Sequence, residues 1–422
     1  MRQPIIGPHT ATPWIVTMSN SHIADVPRLP LDGVRILAFE QYGAGPWGTM
    51  HLADLGAEII KVEDPQSGGD VARYVPPYTS KQDSVYFQSF NRNKKSITLD
   101  LRHSASKGVL HRLVETSDAV FNNLRGDIPS KLGLDYSALS QVKKSIVCCS
   151  LSAFGRHGER AAEPGYDYVV QAYAGWMSLT GEPDSPPQRA GLSLVDYTAG
   201  VMAALGMVSA ILRARETGVG CDVDVSLYDN ALSHLSYVGA WHLSRGFEPQ
   251  RWPDSSHPSQ VPSQILPTSD GWITVMCAKE KFYVDLVEIM GAPELATDPR
   301  FQTFADRLEN RELLGTLLKD LSGKKTTGEW LKLLRGRVPC GPVNSVEQAL
   351  SDPQVAEDGM VIEMEHPELG TVRQLASPIK ISDSEPTHHL GPRLGEDTDE
   401  ILREYANASD GEIAAWRKDG VI

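Results

Sequence analysis

From Leu31 onward the apolar residues arrive in short runs whose internal spacing alternates between two types. Leu31 to Phe39, Ala57 to Glu63, Ser96 to Leu99, Asp118 to Asn122 and Ser145 to Leu151 are brief and rich in Val, Ile, Leu and Phe, as buried strands are. Between them, 49–55, about 104–116 and the stretch opened by Leu132 to Asp135 carry helical spacing. This alternation predicts an α/β fold, a doubly wound and mostly parallel sheet. Ligands of such sheets lie beyond the carboxyl ends of the strands, so the loops 43–48, 64–73, 122–131 and 152–167 form the expected ligand wall.

The pattern changes in the second half. Cys221 to Ser226 predicts a strand and Leu227 to Arg245 one long amphipathic helix, followed by a Pro- and Ser-rich loop from Gly246 to Pro262. Ser263 to Ala278, folded about Asp270 and Gly271, predicts a hairpin. Helices over about 279–290, 308–321 and 327–335 then complete a smaller α+β unit. A second hairpin brackets His366 to Gly370, and helices at about 397–405 and 409–418 close the chain. The expected division is a loose extension 1–27, a large domain 28–215, a linker strand and helix 216–260, a small domain 261–340, a return linker and hairpin 341–374, and a C-terminal part of the large domain 375–422.

Between these halves runs Arg189 to Gly200, which leads into a helix continuing to Arg213. Val201, Leu205, Val208 and Leu212 recur at helical spacing, while Ala199, Gly200, Ala203, Ala204 and Gly206 keep another face small enough for close packing. Arg213 and Arg215 followed by Gly218 are stop signals. Asp196 therefore falls at the helix N-terminus, where unpaired N–H groups and the dipole favour an ionised carboxylate. Two roles fit: an N-cap without chemistry, or a held nucleophile.

A chain of 422 residues exceeds usual single-domain size. Its formal net charge of -14 argues against a nucleic-acid or anionic-membrane surface and calls for a local basic pocket for any anionic ligand. No run of about 18 apolar residues is evident, so no membrane span is expected. The first 27 residues lack the charged start and long apolar centre of a signal peptide. Five cysteines without ligand or disulfide spacing fit buried thiols in a reducing cytoplasm.

Two further motifs have weaker content. Gly43, Gly45 and Gly48 spell G-x-G-x-x-G with Glu63 further on, the form of a dinucleotide site, but Pro46 removes an N–H that would face phosphate and the following helix is short. Arg92, Lys94 and Lys95, with Arg102 beyond, form a cationic cluster that reads either as a phosphate site or as a solvated turn.

Taken in order, several segments resemble the class III CoA-transferase family, the group of formyl-CoA transferase, carnitine CoA-transferase and succinyl-CoA:glutarate CoA-transferase. The resemblance rests on Ala44 to Pro46, Ala53 to Ala57 with Ile60 to Glu63, Asn91 to Ser96 with Leu99 to Leu101, and Leu132 to Leu134. It continues through Gly165 to Asp167, Thr180 to Asp184, the Asp196 turn, Thr217 to Gly220, His257 to Ser259 and Val338 to Val343. The resemblance implies that Asp196 is the nucleophile of an acyl-CoA:carboxylate CoA transfer, with no metal and no permanently bound cofactor. It places the coenzyme A thioester along Gly43, Ala44, Leu99, Arg102, Asn123, Leu124, Arg125, Lys131, Tyr166 and Asp167. It also implies an interlocked homodimer and a small-domain segment, here His257 to Ser259, over the thioester.

This sequence departs from relatives in places. Lys131 stands where they often carry Arg, and Asp64 where the formyl-CoA transferase branch is basic, so Arg73 or Arg92 is expected to compensate. A sister branch, the α-methylacyl-CoA racemases, pairs a His-Asp dipeptide with the later aspartate as two bases. Tyr166 occupies that His position, and a phenol with an ordinary pKa near 10 is a poor base, which favours transfer. The C-terminal segments 338–343, 352–354 and 363–367 look most like the succinyl-CoA:glutarate type, which favours small dicarboxylates.

Overall fold

Six short runs, the first five buried on both faces, become the strands β1 (Arg35–Phe39), β2 (Glu58–Glu63), β3 (Lys95–Thr98), β4 (Ala119–Asn122), β5 (Val147–Ser152) and β6 (Cys221–Ser226). All pair in parallel, in the order β3-β2-β1-β4-β5-β6. The computed structural model describes residues 29–384 and 387–422. The expected extension 1–27 lies outside the described residues.

Alternation along each strand builds two cores. Ile36, Ala38, Ile59, Phe121, Cys149 and Leu151 face one side, covered by α1 (Ala44–Asp54) and by a long helix beginning at Leu194. Leu37, Phe39, Ile60, Ile97, Val120 and Cys148 face the other. There α2 (Val85–Asn91) leads into β3, α3 (Ser106–Glu115) supplies Val109 and Leu113, and the C-terminal helices supply Ile401 and Ile413. The short α4 (Ile128–Leu132) and α5 (Tyr136–Leu139) follow β4, and α6 (Asp167–Tyr173) follows β5. A third core lies between 261 and 338, where β7 (Ser263–Pro267), β8 (Trp272–Met276) and β9 (Cys340–Pro342) form an antiparallel sheet under helices. The hairpin of β10 (Val361–His366) and β11 (Gly370–Leu375) packs on α2.

Several expectations are corrected. The stretch 43–48 is no loop: α1 begins at Ala44, five residues before Thr49. Its glycines serve helix packing. A Cβ on Gly48 would come 2.3 Å from the carbonyl oxygen of Gly200, and one on Gly200 2.3 Å from that of Ala44, so the two backbones touch at this crossing. That contact explains the spacing without a dinucleotide.

The segment 216–260 is not wholly linker, because β6 is the sixth strand of the large sheet. The helix expected over 227–245 is broken into α8 (Leu227–Ser233) and α9 (Ser236–Arg245). The indole of Trp176 donates to the Ala231 carbonyl at 3.0 Å, the acceptor that the Leu235 amide would need, and Leu235 bonds to Leu232 instead.

The helix α7 (Leu194–Thr217) is long and apolar enough to cross a membrane by length and composition, contrary to the expectation of no such run. Half of its most apolar 18-residue window is buried inside the protein. Its orientation reverses the simplest reading of its periodicity. Ala199, Gly200, Ala203 and Met207 face the core, whereas Val201, Leu205 and Leu212 are 47%, 60% and 66% exposed. Close approach to α1 demands the small face.

Candidate active site

The strand order reverses between β1 and β4, so the crevice of the sheet opens where these two strands end. Gln41, after β1, and Asn123, after β4, close it from below. The Asn123 amide donates to the Gln41 carbonyl at 2.7 Å, and the Gln41 N–H donates to Asn123 Oδ1 at 2.9 Å. Above them lies a cleft of about 270 Å³ lined by Gln41 to Ala44, Asn123 to Arg125, Ser152, Tyr166 and Asp196. A second hollow of about 390 Å³ continues it past Leu124 and Ile128 to Leu99, Asp64 and Arg102.

Asp196 is the third residue of α7, whose N-cap is Ser193. The cap role expected of it belongs to Asp167, the first residue of α6. Asp167 Oδ2 accepts the N–H of Val195 at 2.9 Å and that of Asp196 at 3.4 Å, and Gln171 donates to Oδ1 at 2.8 Å. Asp196 itself is 8% exposed. Burial first, and the neighbouring Asp167 charge second, push its carboxyl up to about 7. The helix end favours the ionised form, as expected, but burial and the Asp167 charge oppose it.

A Cβ placed on Gly43 would stand 3.4 Å from Asp196 Oδ2 and 3.6 Å from the Tyr86 hydroxyl. An atom entering this notch therefore meets the carboxylate on one side and a phenol donor on the other. The N-terminus of α1 flanks the same notch without a side-chain cap or an acidic residue in its first turn. The Gly43, Ala44 and Gly45 N–H groups have no acceptor among the described residues. Tyr42, Tyr86 and Tyr166 ring the mouth, with centroids 5.5 Å and 5.9 Å from Tyr42.

Of the residues expected along the thioester, Gly43, Ala44, Asn123, Leu124, Arg125 and Tyr166 line the first cleft, and Leu99 and Arg102 line the second. Lys131 lines neither and pairs with Asp127, which also holds Arg125 at 2.5 Å. Asp167 lies behind the wall as a cap rather than on it. Gln41, Tyr42 and Tyr86 were missed. Gln41 and Tyr42 carry only a positional signal, between the end of β1 and the start of α1, and Tyr86, the second residue of α2, carries none.

Arg92, Lys94 and Lys95 are held by carboxylates and form neither a phosphate site nor a solvated turn. Arg92 makes a buried two-point pair with Asp54, at 2.9 Å and 2.6 Å. Lys94 is buried on Glu40 at 2.6 Å, and burial, opposed by Glu40, pulls it down to about 8. Lys95 pairs with Glu58. Arg73 is likewise buried, on Glu63, so neither Arg73 nor Arg92 compensates for Asp64. Asp64 instead pairs with Arg102 at 3.1 Å. His257 stacks on Tyr237, with Nε2 3.1 Å from its hydroxyl, and among the described residues the Asp196 cleft takes no lining residue from beyond Leu227.

A parallel sheet with a buried carboxylate at its switch-point cleft defines a ligand-binding α/β protein, and comparison with known proteins narrows this. Residues 31–398 match CoA-transferase family III, and the chain belongs to that family. It is an enzyme of the CoA-transferase type, acting on CoA thioesters. It is 33% identical over 399 residues to the succinyl-CoA:glutarate CoA-transferase of Mus musculus, covering 93% of this chain and 90% of that one. The acetyl-CoA:oxalate CoA-transferase of Acetobacter aceti is 34% identical over 384 residues, covering 90% and 97%. Among solved structures, a CAIB/BAIF family protein from Brucella suis is similar with a TM-score of 0.75 at 34% identity, over 90% of this chain and 100% of that one.

Proposed function

We propose that this enzyme moves coenzyme A from an acyl-CoA, succinyl-CoA being the first donor to test, to a small carboxylic or dicarboxylic acid, with Asp196 as the nucleophile. The observation carrying this reading is the Asp196 carboxylate at the notch beside Gly43, with uncapped amides and a phenol around it. The relatives named for glutarate and oxalate support the dicarboxylate class.

In this reading an Asp196 oxygen attacks the thioester carbonyl, the C–S bond breaks, and an acyl-aspartyl anhydride and CoA thiolate form. The thiolate then attacks the aspartyl carbonyl, releasing the first acid and leaving an aspartyl-CoA thioester. The acceptor carboxylate reverses both steps and departs as the new thioester. Each tetrahedral oxyanion needs donors, and the Gly43 to Gly45 amides with the Tyr86 hydroxyl are the ones at hand. The pantetheine and nucleotide follow the joined hollows past Leu124 to Leu99 and Arg102.

Further parts of the reading are a homodimer and a cytoplasmic setting. The exposed Val201, Leu205 and Leu212 stripe supports the first, since such apolar faces mark contact surfaces. Five free cysteines support the second.

The test incubates the protein with succinyl-CoA and a panel of acids, then treats it with hydroxylamine or borohydride. Transfer with an acyl-CoA-dependent adduct on Asp196 is expected. An adduct on another residue would overturn the assignment, and α-proton exchange in deuterated water without transfer would indicate a racemase.

A further inference from the structure

Tyr42, next to the notch, has a φ of 69°, in the left-handed region that aromatic residues avoid. The conformation is strained and persists only where its surroundings enforce it. Two buried charges enforce it here. Asp70 Oδ1 accepts the Tyr42 N–H at 2.9 Å. Lys61 Nζ lies 2.8 Å from Asp70 Oδ2 and donates to the Glu40 carbonyl at 2.9 Å. One ammonium thus grips the turn before the strain, at Glu40, and after it, through Asp70. Both side chains are wholly buried.

The pair is more than stability requires, since apolar residues of similar size replace buried ion pairs at little or no cost. Its position sets its consequence. The residue it strains immediately precedes Gly43, so the left-handed turn decides where α1 begins and where the Gly43 to Gly45 amides point. We infer that Lys61 and Asp70 are positioning residues for acyl transfer, holding Tyr42 left-handed so that the α1 amides and the Gly43 notch face Asp196. This rests on the transfer reading above.

The test compares wild type, Asp70→Ala, Tyr42→Gly and the double variant Asp70→Ala/Tyr42→Gly in steady-state CoA transfer. Alanine removes the acceptor of the Tyr42 N–H as well as the charge. Misplaced donors should lower kcat of Asp70→Ala about 10–100-fold while KM for the acyl-CoA stays within about threefold. Glycine adopts positive φ without penalty, so Tyr42→Gly in the Asp70→Ala background should recover at least about tenfold in kcat with no recovery of Tm. Should Asp70→Ala not fold, the pair-removed variant Lys61→Met/Asp70→Leu takes its place and is expected to fold yet show the same loss. Wild-type kcat in either folded variant, or no recovery through Tyr42→Gly, overturns this inference alone. Absence of transfer by the wild type overturns the transfer reading and this inference with it.

Discussion

Asp167 caps the helix that presents Asp196: its Oδ2 accepts the Val195 and Asp196 N–H groups at 2.9 Å and 3.4 Å while its charge raises the Asp196 pKa. The two effects are separable. Asp167→Asn keeps an oxygen acceptor and removes the like charge, so the ionisation of Asp196 should move down by about one pH unit. Asp167→Ala strands the two N–H groups and should cost about 1–2 kcal/mol of stability. The pH–rate profile reads the first and thermal unfolding the second. An unmoved profile in Asp167→Asn would show that the charge is not felt.

In the proposed transfer Asp196 attacks as the anion, and its carboxyl is pushed up to about 7, so kcat/KM should climb with pH and level off above that value. The same shift bears on stability with a definite sign. A carboxyl with an ordinary pKa near 3.9 when unfolded and about 7 when folded keeps its proton longer in the native state. Stability is therefore lost as pH rises through that window. Asp196→Asn should transfer CoA at least about 10³-fold more slowly and be more stable than wild type. The gain should vanish below pH 4 and reach at most about 4 kcal/mol above pH 7. A variant less stable than wild type at pH 8 contradicts this account.

The contact between α1 and α7 leaves no room for a methyl group. Gly48→Ala drives a Cβ to 2.3 Å from the Gly200 carbonyl oxygen, a backbone atom that yields only if the helices separate. Loss of about 3 kcal/mol or more is expected, with kcat falling because both helices border the notch. Gly108→Ala, with open space around it, serves as the control. Equal melting temperatures for Gly48→Ala and the control would refute the packing role.

Arg92 is structural. Removing it as Arg92→Ala leaves Asp54 buried and unpaired, at a cost of about 3–5 kcal/mol in urea unfolding. Once folded at low temperature, the variant should retain its KM for acyl-CoA. A large KM increase with normal stability would return the cluster to ligand binding.

The chain itself determined the elements and their order. Short β-branched runs, separated by helical spacing, could only be buried on both faces as parallel strands, and Asp270-Gly271 could only turn a hairpin. Helical spacing placed Asp196 at a helix start, and family resemblance added the expected wall residues, eight of which border the two hollows. Three-dimensional contact decided the rest. Whether Arg92, Lys94 and Arg73 meet phosphate or carboxylate depends on partners 10 to 54 residues away. The exposed face of α7 was settled by Gly48, which lies 152 residues from its contact at Gly200 in the sequence and at touching distance in the fold. The charge state of Asp196 is likewise a tertiary property: local sequence supplies a helix dipole that favours the anion, and only folding supplies the burial and the second carboxylate that oppose it.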